Sequence, residues 1–261
     1  MLSGTGGKAT ARVPQGERVY VIGDIHGRLD LYATLIKAID RDDAKSGEAD
    51  TTVVLLGDLI DRGPDSAGVI RATRKWAKAR RVRMLAGNHE EMFLEAFSKR
   101  ETLRQYIRHG GRDTLLSYGI APRDYDAASL EELRDLMDAH VPGKDRRFLA
   151  KMEDIAVIGD YVFVHAGIDP DLPLDRQTPR ETRWIREPFL TSRRRHSHMV
   201  VHGHTIVDDI EERPNRIGID TGAYRNGRLT ALVLEGKTRR YLQAVEKKDG
   251  TLHIERKGDG A

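Results

Sequence analysis

The sequence contains no cysteine among its 261 residues. This absence excludes a disulfide, a thiolate nucleophile and a cysteine-type zinc site. Any bound metal must therefore be held by His, Asp, Glu or Asn side chains. A chain without cysteine also fits a reducing compartment, and we expect a cytoplasmic protein.

The sequence also lacks long apolar segments. No run approaches the roughly 20 residues that cross a membrane. Residues 1–17 hold no apolar stretch of the kind found in signal peptides, so we expect a flexible N-terminal tail there and no membrane partner. At this length we predict one domain over residues 18–246, followed by a C-terminal strand or tail over residues 247–261.

A strong excess of charge of one sign is missing as well. The 44 basic and 41 acidic residues give a net charge of only +3, so the composition neither requires nor excludes a nucleic-acid partner. A nucleotide-binding P-loop is also absent. The segment GTGGKAT near the start lacks the G-x-x-x-x-G-K-[ST] spacing, and no strand precedes it.

What the sequence does contain is a set of short Val, Ile and Leu runs that predict buried strands. Most end in a cluster of Gly, Asp, Asn or His, and they read RVYVIGD, TTVVLLGD, VRMLAGNHE, YVFVHAG and HMVVHGHT. Helical patterns separate the first three, and Pro64 is placed for the first turn of the second helix. The chain is therefore predicted to open as β-α-β-α-β with parallel strands, whose carboxyl ends attract ligands.

The remainder of the chain divides into two parts. Residues from about 91 to 152 are predicted to form a helical insert with a break at Pro142-Gly143. Short strands dominate from residue 161 onward, with Asn226-Gly227 as a predicted hairpin turn. The predicted fold class is therefore α/β.

Ligand-type side chains follow the predicted strands. Asp24 and His26 come after the first, Asp58 after the second and Asn88 after the third. His165, His202 and His204 follow later apolar runs. Mixed nitrogen and oxygen donors without sulfur suit Mn²⁺, Fe or Zn²⁺ better than Mg²⁺ or Ca²⁺.

Five ordered motifs, GDIHG, GDLIDRG, GNHE, HAG and GHT, give the sequence a family resemblance. It resembles the calcineurin-like metallophosphoesterase superfamily and, within it, the PPP-type serine/threonine protein phosphatases of small bacterial and phage type. The similarity spans residues from about 19 to 223. It implies a metallophosphatase fold, in which two mixed β-sheets pack as a sandwich flanked by helices.

The resemblance also implies two metal ions per chain, with Mn expected and Fe or Zn as alternatives. Asp24 and His26 would bind the first metal, and Asp58 would bridge both. The second metal would be completed by Asn88, His165 and His204. A bridging carboxylate holds two cations about 3.5–4 Å apart, so that a shared water loses a proton near neutral pH and attacks phosphorus.

The same resemblance implies catalytic roles for residues next to these ligands. His89 would be the general acid and Asp61 would hold it. Arg62 would bind phosphate oxygens, and Arg186, in TRWIREP, resembles the second phosphate arginine. Asn88 is expected to contact substrate in addition to metal. Two further residues stay outside the predicted site: His202 is either a hydrogen-bond partner of a ligand or a strand-end polar residue, and Asp220 is expected to be structural.

The predicted substrate is a phosphoprotein, on Ser, Thr or Tyr, because GNHE and HGGRDTLLSYG are similar to the small PPP phosphatases. One alternative is a symmetrical diadenosine tetraphosphate hydrolase or a hydrolase of dinucleoside-capped RNA. Those enzymes share the same cage but more often have GNHD where this chain has Glu90. A second alternative is a metal-binding regulatory module without catalysis. The presence of Asp61, Arg62 and His89 argues against it.

Overall fold

The computed structural model describes residues 11–258. The strands are β1 (Glu17–Ile22), β2 (Asp50–Leu55), β3 (Arg81–Met84), β4 (Ile155–Ile158), β5 (Tyr161–Val164), β6 (Met199–His202), β7 (Glu211–Glu212), β8 (Arg216–Gly218), β9 (Arg228–Glu235), β10 (Thr238–Glu246) and β11 (Leu252–Gly258). The α-helices are α1 (Leu29–Lys45), α2 (Ser66–Ala79), α3 (Asn88–Ala96), α4 (Arg100–Tyr106), α5 (Arg112–Ser117), α6 (Pro122–Ala127), α7 (Leu130–His140), α8 (Gly143–Leu149), α9 (Pro179–Trp184) and α10 (Ala223–Asn226). A π-helical turn covers Ile107–Gly111, and a 3-10 turn covers Leu174–Arg176.

The strands form two mixed sheets. The first has the order β11-β10-β9-β1-β2-β3, in which β1, β2 and β3 run parallel and β9, β10 and β11 are antiparallel. The second has the order β4-β5-β6-β8-β7, with β5, β6 and β8 parallel. This arrangement confirms the predicted α/β sandwich of two mixed sheets.

One hydrophobic core lies between the two sheets and another lies under the helices. Val21 and Leu232 of the first sheet share a buried cluster with Phe163 and Val201 of the second. The opposite face of the first sheet packs against α1, α2 and the helical insert. Because β1 is covered on both faces, five consecutive residues from Arg18 are buried, as expected for a central parallel strand.

The predicted β-α-β-α-β opening is confirmed, with one correction. Helix α1 buries one apolar face, which includes Tyr32, Leu35 and Ile39. Helix α2, however, begins at Ser66 and not at Pro64. Asp65 is the N-cap, and its carboxylate accepts a hydrogen bond from the backbone N–H of Gly68, which satisfies a free donor of the first turn.

The helical insert is also present, running from α3 to α8 with a break between α7 and α8. The predicted hairpin at Asn226-Gly227 is wrong. Asn226 ends α10 and Gly227 adopts φ 63° as its C-cap, so this segment connects β8 of one sheet to β9 of the other. Asn-Gly is favoured both at a left-handed helix C-cap and in a hairpin turn. Here it forms a C-cap, because the strands on either side, β8 and β9, belong to different sheets.

The two ends of the described chain pack on the sheets. Residues 1–10 of the predicted tail lie outside the described residues, but Val13 is buried in the core between the sheets. Strand β11 pairs along its length with β10 at the edge of the first sheet. Across residues 11–258, no helix combines the length and apolar character needed to cross a membrane.

Candidate metal centre and active site

The loops that follow the parallel strands meet at one edge of the sandwich. After β1, the backbone N–H groups of Ile25 and His26 donate to the carbonyl of Asp58, at 3.1 and 2.8 Å. After β6, the N–H of Gly203 donates to the carbonyl of His165, at 2.8 Å. These bonds tie neighbouring strand-end loops together within each sheet, and the bond from the N–H of His204 to the Asp24 carboxylate joins the loops of the two sheets.

Two clusters of candidate metal ligands share Asp58. In one, donor atoms of His26, Asp58 and His89 all lie within 4.8 Å of one another, and in the other the same holds for Asp58, His165 and His204. Each of these side chains except that of His204 is buried. The shared position of Asp58 is the arrangement that a carboxylate contacting two cations requires.

The imidazole tautomers direct lone pairs into this region. His26 Nδ1 donates to the carbonyl of Ile60 and His165 Nδ1 donates to that of Leu56, each at 2.8 Å, so the Nε2 atoms carry no proton. Both Nε2 atoms lie 3.5 Å from Asp58 carboxylate oxygens. Lone pairs facing a carboxylate repel one another, and a bound cation would turn this repulsion into coordination.

Electrostatics also favour a cation here. Burial lowers the pKa of His26 and His165 and lowers that of His204 to about 3, which keeps the three imidazoles in the neutral, metal-binding form. Burial raises the pKa of Asp24, and the charges of Asp220 and Asp58 raise it further. The donor set of imidazole, carboxylate and amide therefore fits a divalent transition metal such as Mn²⁺.

Asp24 belongs to neither donor cluster but lies next to them. Its carboxylate accepts from the backbone N–H of His204, at 3.1 and 3.2 Å. Asp220, which the sequence analysis treated as structural, is buried and accepts from the N–H of Gly222 at 3.0 Å. Burial raises the pKa of both carboxylates, and the negative charge of Asp58 raises each further.

His89 and Asp61 form a buried pair. His89 Nδ1 lies 2.7 Å from Asp61 Oδ2, and both side chains are fully buried. Burial acts to lower the pKa of His89, but the carboxylates of Asp58 and Asp61 outweigh it and the pKa is raised. Within residues 11–258 the Nε2 atom of His89 has no hydrogen-bond partner, and it lies 3.8 Å from Asp58 Oδ2. Asp61 thus engages Nδ1, and no described residue forms a hydrogen bond with Nε2.

Arg62 lies between the donor cluster and the open cavity. Its Nη1 donates to the lone pair of His26 Nε2 at 2.7 Å, and its guanidinium lies 4.8 Å from the ring centroid of Tyr224. A cationic group therefore already approaches the His26 lone pair.

Five non-glycine residues of this region have positive φ. They are His26 (45°), Asp58 (47°), Asp61 (72°), Arg62 (68°) and His204 (61°). Left-handed backbone is costly for such residues and concentrates at functional sites. Sequence patterns gave no indication of it.

A cavity of about 830 Å³ opens over the site. Its floor includes Asp58, Arg62 and Asn88, and Arg186 and Trp184 line its wall. The structure thus brings Arg186 to the same cavity as Arg62, whereas His89 and Asp61 are fully buried and do not line it.

Glu90 contributes in a way that sequence reasoning missed. Its carboxylate accepts from the backbone N–H groups of Gly87, Asp58 and Leu59, at 3.0, 2.9 and 2.8 Å. The side chain is fully buried and ties the loop after β2 to the start of α3. These hydrogen bonds are to backbone groups, and Glu90 does not line the cavity. The difference between GNHE and GNHD therefore acts directly on the structure of the loop.

His202 is the last residue of β6 in the second sheet and is buried. Its Nδ1 donates to the carbonyl of Gly203 at 3.1 Å, its Nε2 lies 3.4 Å from Nη1 of Arg216, and its ring meets that of Phe189 edge to face at 5.1 Å. Its hydrogen bonds therefore go to the strand end and to Arg216, not to a candidate ligand side chain.

The chain is similar to known proteins along most of its length. The model of the calcineurin-like phosphoesterase family matches residues 17–226. The chain is 27% identical over 233 residues to the asymmetrical bis(5'-nucleosyl)-tetraphosphatase PrpE of Bacillus velezensis, which covers 80% of this chain and 86% of that protein. It is 26% identical over 222 residues to serine/threonine-protein phosphatase 2 of Salmonella typhimurium, covering 81% and 90% of the two chains.

A solved structure, provisionally described as a diadenosine tetraphosphatase, has the same fold. It superposes with a TM-score of 0.60 at 22% identity, over 97% of this chain and all of the other. The family match includes the ends of β1, β2, β5 and β6, where the donor clusters lie. The chain therefore belongs to the calcineurin-like phosphoesterase family and is a hydrolase of the metallophosphoesterase type.

Proposed function

We propose that this chain is a phosphomonoesterase that removes phosphate from serine and threonine residues of proteins. The observation that carries the proposal is the buried His89–Asp61 pair, in which Nε2 of His89 has no hydrogen-bond partner among residues 11–258. When the P–O bond to serine or threonine breaks, the departing side-chain oxygen is an alkoxide, a poor leaving group that needs a proton. A positioned acid matters much less when the leaving group is itself a stable phosphate anion.

The metal ions that this proposal needs would be held by the side chains gathered at the strand ends. The proposed ligands are Asp24, His26, Asp58, Asn88, His165 and His204. Two bound cations, with Mn²⁺ expected, would supply Lewis acidity toward phosphate oxygens and lower the pKa of water. The tautomers of His26 and His165 and the shared position of Asp58 support this assignment.

The remaining roles fall to residues of the cavity. Arg62 and Arg186 would bind phosphate oxygens, since a planar guanidinium can donate two parallel hydrogen bonds to them. Asn88 would contact the substrate from the cavity floor. His89 would donate its Nε2 proton to the departing oxygen while Asp61 holds the opposite side of the ring.

A dinucleoside tetraphosphate is the second candidate substrate. Trp184 lines the cavity with 37% of its surface exposed, and its indole N–H donates to Glu91 at 3.3 Å. An exposed, oriented indole beside Arg180 and Arg186 could stack a nucleobase while the arginines bind phosphates. The similarity to a tetraphosphatase at 27% identity supports the same substrate class.

A substrate panel separates these candidates. Protein loaded with Mn²⁺ is assayed on phosphoserine and phosphothreonine peptides and on diadenosine tetraphosphate, with phosphate and nucleotide products quantified. We expect a higher kcat/KM on the peptides. Faster cleavage of diadenosine tetraphosphate, lost in Trp184→Ala, would replace the first proposal by the second. Two bound Mn²⁺ without hydrolysis of any of these or of 4-nitrophenyl phosphate would support a regulatory module instead.

A further inference from the structure

Two hydroxyl groups of the helical insert converge on one oxygen of Asp61. The phenol of Tyr106, at the end of α4, donates to Asp61 Oδ1 at 2.8 Å. The hydroxyl of Thr114, in α5, donates to the same oxygen at 2.6 Å. All three side chains are fully buried, so water does not compete for these bonds.

The other oxygen of Asp61 is used by His89. Its Oδ2 lies 2.7 Å from His89 Nδ1, so the two hydroxyls and the imidazole together engage both carboxylate oxygens. Burial raises the pKa of Tyr106, and the charge of Asp61 raises it further, which keeps the phenol protonated and able to donate. Rotation of the carboxylate would break contacts on both of its oxygens.

The same segment supports the backbone of Asp61 and Arg62. The N–H of Arg62 donates to the carbonyl of Gly110 at 3.2 Å, within the π-helical turn between Tyr106 and Thr114. Gly110 has φ 104°, and a Cβ there would lie 2.8 Å from Arg62 Cγ. Asp61 and Arg62 both have positive φ, a conformation that persists only when its surroundings hold it.

We propose that Tyr106 and Thr114 are positioning residues for general-acid catalysis. They fix the Asp61 carboxylate, and the carboxylate fixes the His89 ring so that Nε2 is presented as the proton donor. The inference rests on the proposed phosphomonoesterase function, and it assigns to the helical insert a role in catalysis in addition to shaping the cavity. Neither residue is proposed to touch substrate or metal.

The first test does not depend on activity. Histidine ring nitrogens are observed by ¹⁵N NMR in protein loaded with diamagnetic Zn²⁺, and the His89 signals are assigned by their loss in His89→Ala. Tyr106→Phe and Thr114→Val are expected to move the Nδ1 signal, and Thr114→Ser, which keeps the hydroxyl, to restore it. Tyr32→Phe is the matched control, because Tyr32 is equally buried and its hydroxyl accepts a hydrogen bond from Thr73, away from Asp61 and His89.

The second test uses the leaving group. Phenyl phosphate needs a proton donor more than 4-nitrophenyl phosphate does. Because general-acid catalysis contributes about 10²–10⁴-fold, we expect Tyr106→Phe or Thr114→Val to lower kcat about tenfold on phenyl phosphate and less than about threefold on 4-nitrophenyl phosphate. In a His89→Ala background the same substitutions should have no further effect on either substrate.

Several results would overturn the inference. An unmoved His89 Nδ1 signal in both variants, an equal loss of kcat on both substrates, or a further loss in the His89→Ala background would each show a merely structural role. If the unmodified protein hydrolyses neither substrate, the proposed function is wrong, and the NMR result alone decides whether the two hydroxyls orient His89. Having two variants at separate positions protects the test against one that does not fold.

Discussion

His165 Nε2 lies 3.0 Å from Asn88 Oδ1, although neither atom has a proton to share. The imidazole proton is on Nδ1, where it bonds the carbonyl of Leu56. Two donors bound at right angles in an octahedral metal site, each at about 2.1 Å, are separated by about 3.0 Å. The contact between these two acceptors is therefore unfavourable by itself and would become favourable around a bound cation.

Metal binding is accordingly expected to stabilise the folded chain. A ligand that binds only the native state at 100 times its Kd adds about 2.7 kcal/mol. We expect Mn²⁺ or Zn²⁺ to raise the Tm of chelator-treated protein, and Asp58→Asn to remove most of this increase because both donor clusters use Asp58. Thermal melts with and without metal provide the measurement. An equal increase in Asp58→Asn would place the metals elsewhere.

Removal of the acid should separate catalysis from metal binding. His89→Ala is expected to keep both metals and to lower kcat on phosphopeptide by about 10²–10⁴-fold, since only the proton donor is lost. Asp58→Ala should lose metal and activity together. Elemental analysis of both purified variants, beside their kinetics, checks the assignment. Loss of metal from His89→Ala would instead make His89 a ligand, which its place in the cluster with His26 makes a real alternative.

Arg62→Lys tests for two-pronged phosphate binding. Lysine keeps the charge but donates as a point charge, and it cannot reproduce the planar fork. Hydrogen bonds to charged groups are worth about 1.5–3 kcal/mol, so we expect kcat/KM to fall about 10–100-fold with metal content unchanged. Arg225→Lys is the control, since Arg225 does not line the cavity. Unchanged kinetics in Arg62→Lys would show that charge alone suffices.

Much of the fold and the site could be predicted because their signals are local. Apolar runs that end in Asp, Asn or His mark both a buried strand and the ligands at its end, and this placed Asp58 and His165 in one region. The contacts of Tyr106 and Thr114 with Asp61 could not be predicted in this way. They span 45 and 53 residues, and neither side chain differs from an ordinary helical residue in the pattern of its neighbours.

Glu90 shows a different limit. The motif that contains it was visible, but its physical role was not. Three backbone N–H groups in the loop after β2 and at the start of α3 have no partner in regular structure, and only the folded geometry shows that one carboxylate accepts from all of them. Local sequence identifies a donor or an acceptor, and the fold determines which partner it finds.

Asp43 should make stability depend on acid pH. Burial acts to raise its pKa, but hydrogen bonds from Arg80, Thr51 and Arg18 outweigh it and the pKa is lowered. A lowered folded pKa means that the stabilisation is complete above the unfolded value of about 3.9 and is lost as pH falls further. We expect Asp43→Asn to cost about 1–3 kcal/mol at pH 7 and much less near pH 2.

Urea unfolding at the two pH values measures this difference. Asp50→Asn is the control, because Asp50 is 56% exposed in its ion pair with Arg81 and such pairs contribute about 0–1 kcal/mol. An equal cost of Asp43→Asn at both pH values would show that packing, and not charge, accounts for the loss.

Gly203→Ala is expected to disturb the metal centre without changing its charge. A Cβ at Gly203 would lie 2.0 Å from Asp24 Oδ1, and the φ of Gly203 is one that alanine tolerates, so the strain falls on the carboxylate. Asp24 must move, and its bond from the N–H of His204 is stretched. Loss of such supporting contacts typically lowers metal affinity about 10–100-fold.

Calorimetric titration of Zn²⁺ into chelator-treated protein tests this expectation. Gly143→Ala serves as the matched control, because it adds the same methyl group at the start of α8, where the nearest atom is the mobile Nη1 of Arg147 at 3.1 Å. Neither substitution adds backbone strain, but only Gly203→Ala displaces the Asp24 carboxylate, so only that variant should bind Zn²⁺ more weakly. Equal affinity in both would mean that Asp24 can move without consequence, and that it is not a metal ligand.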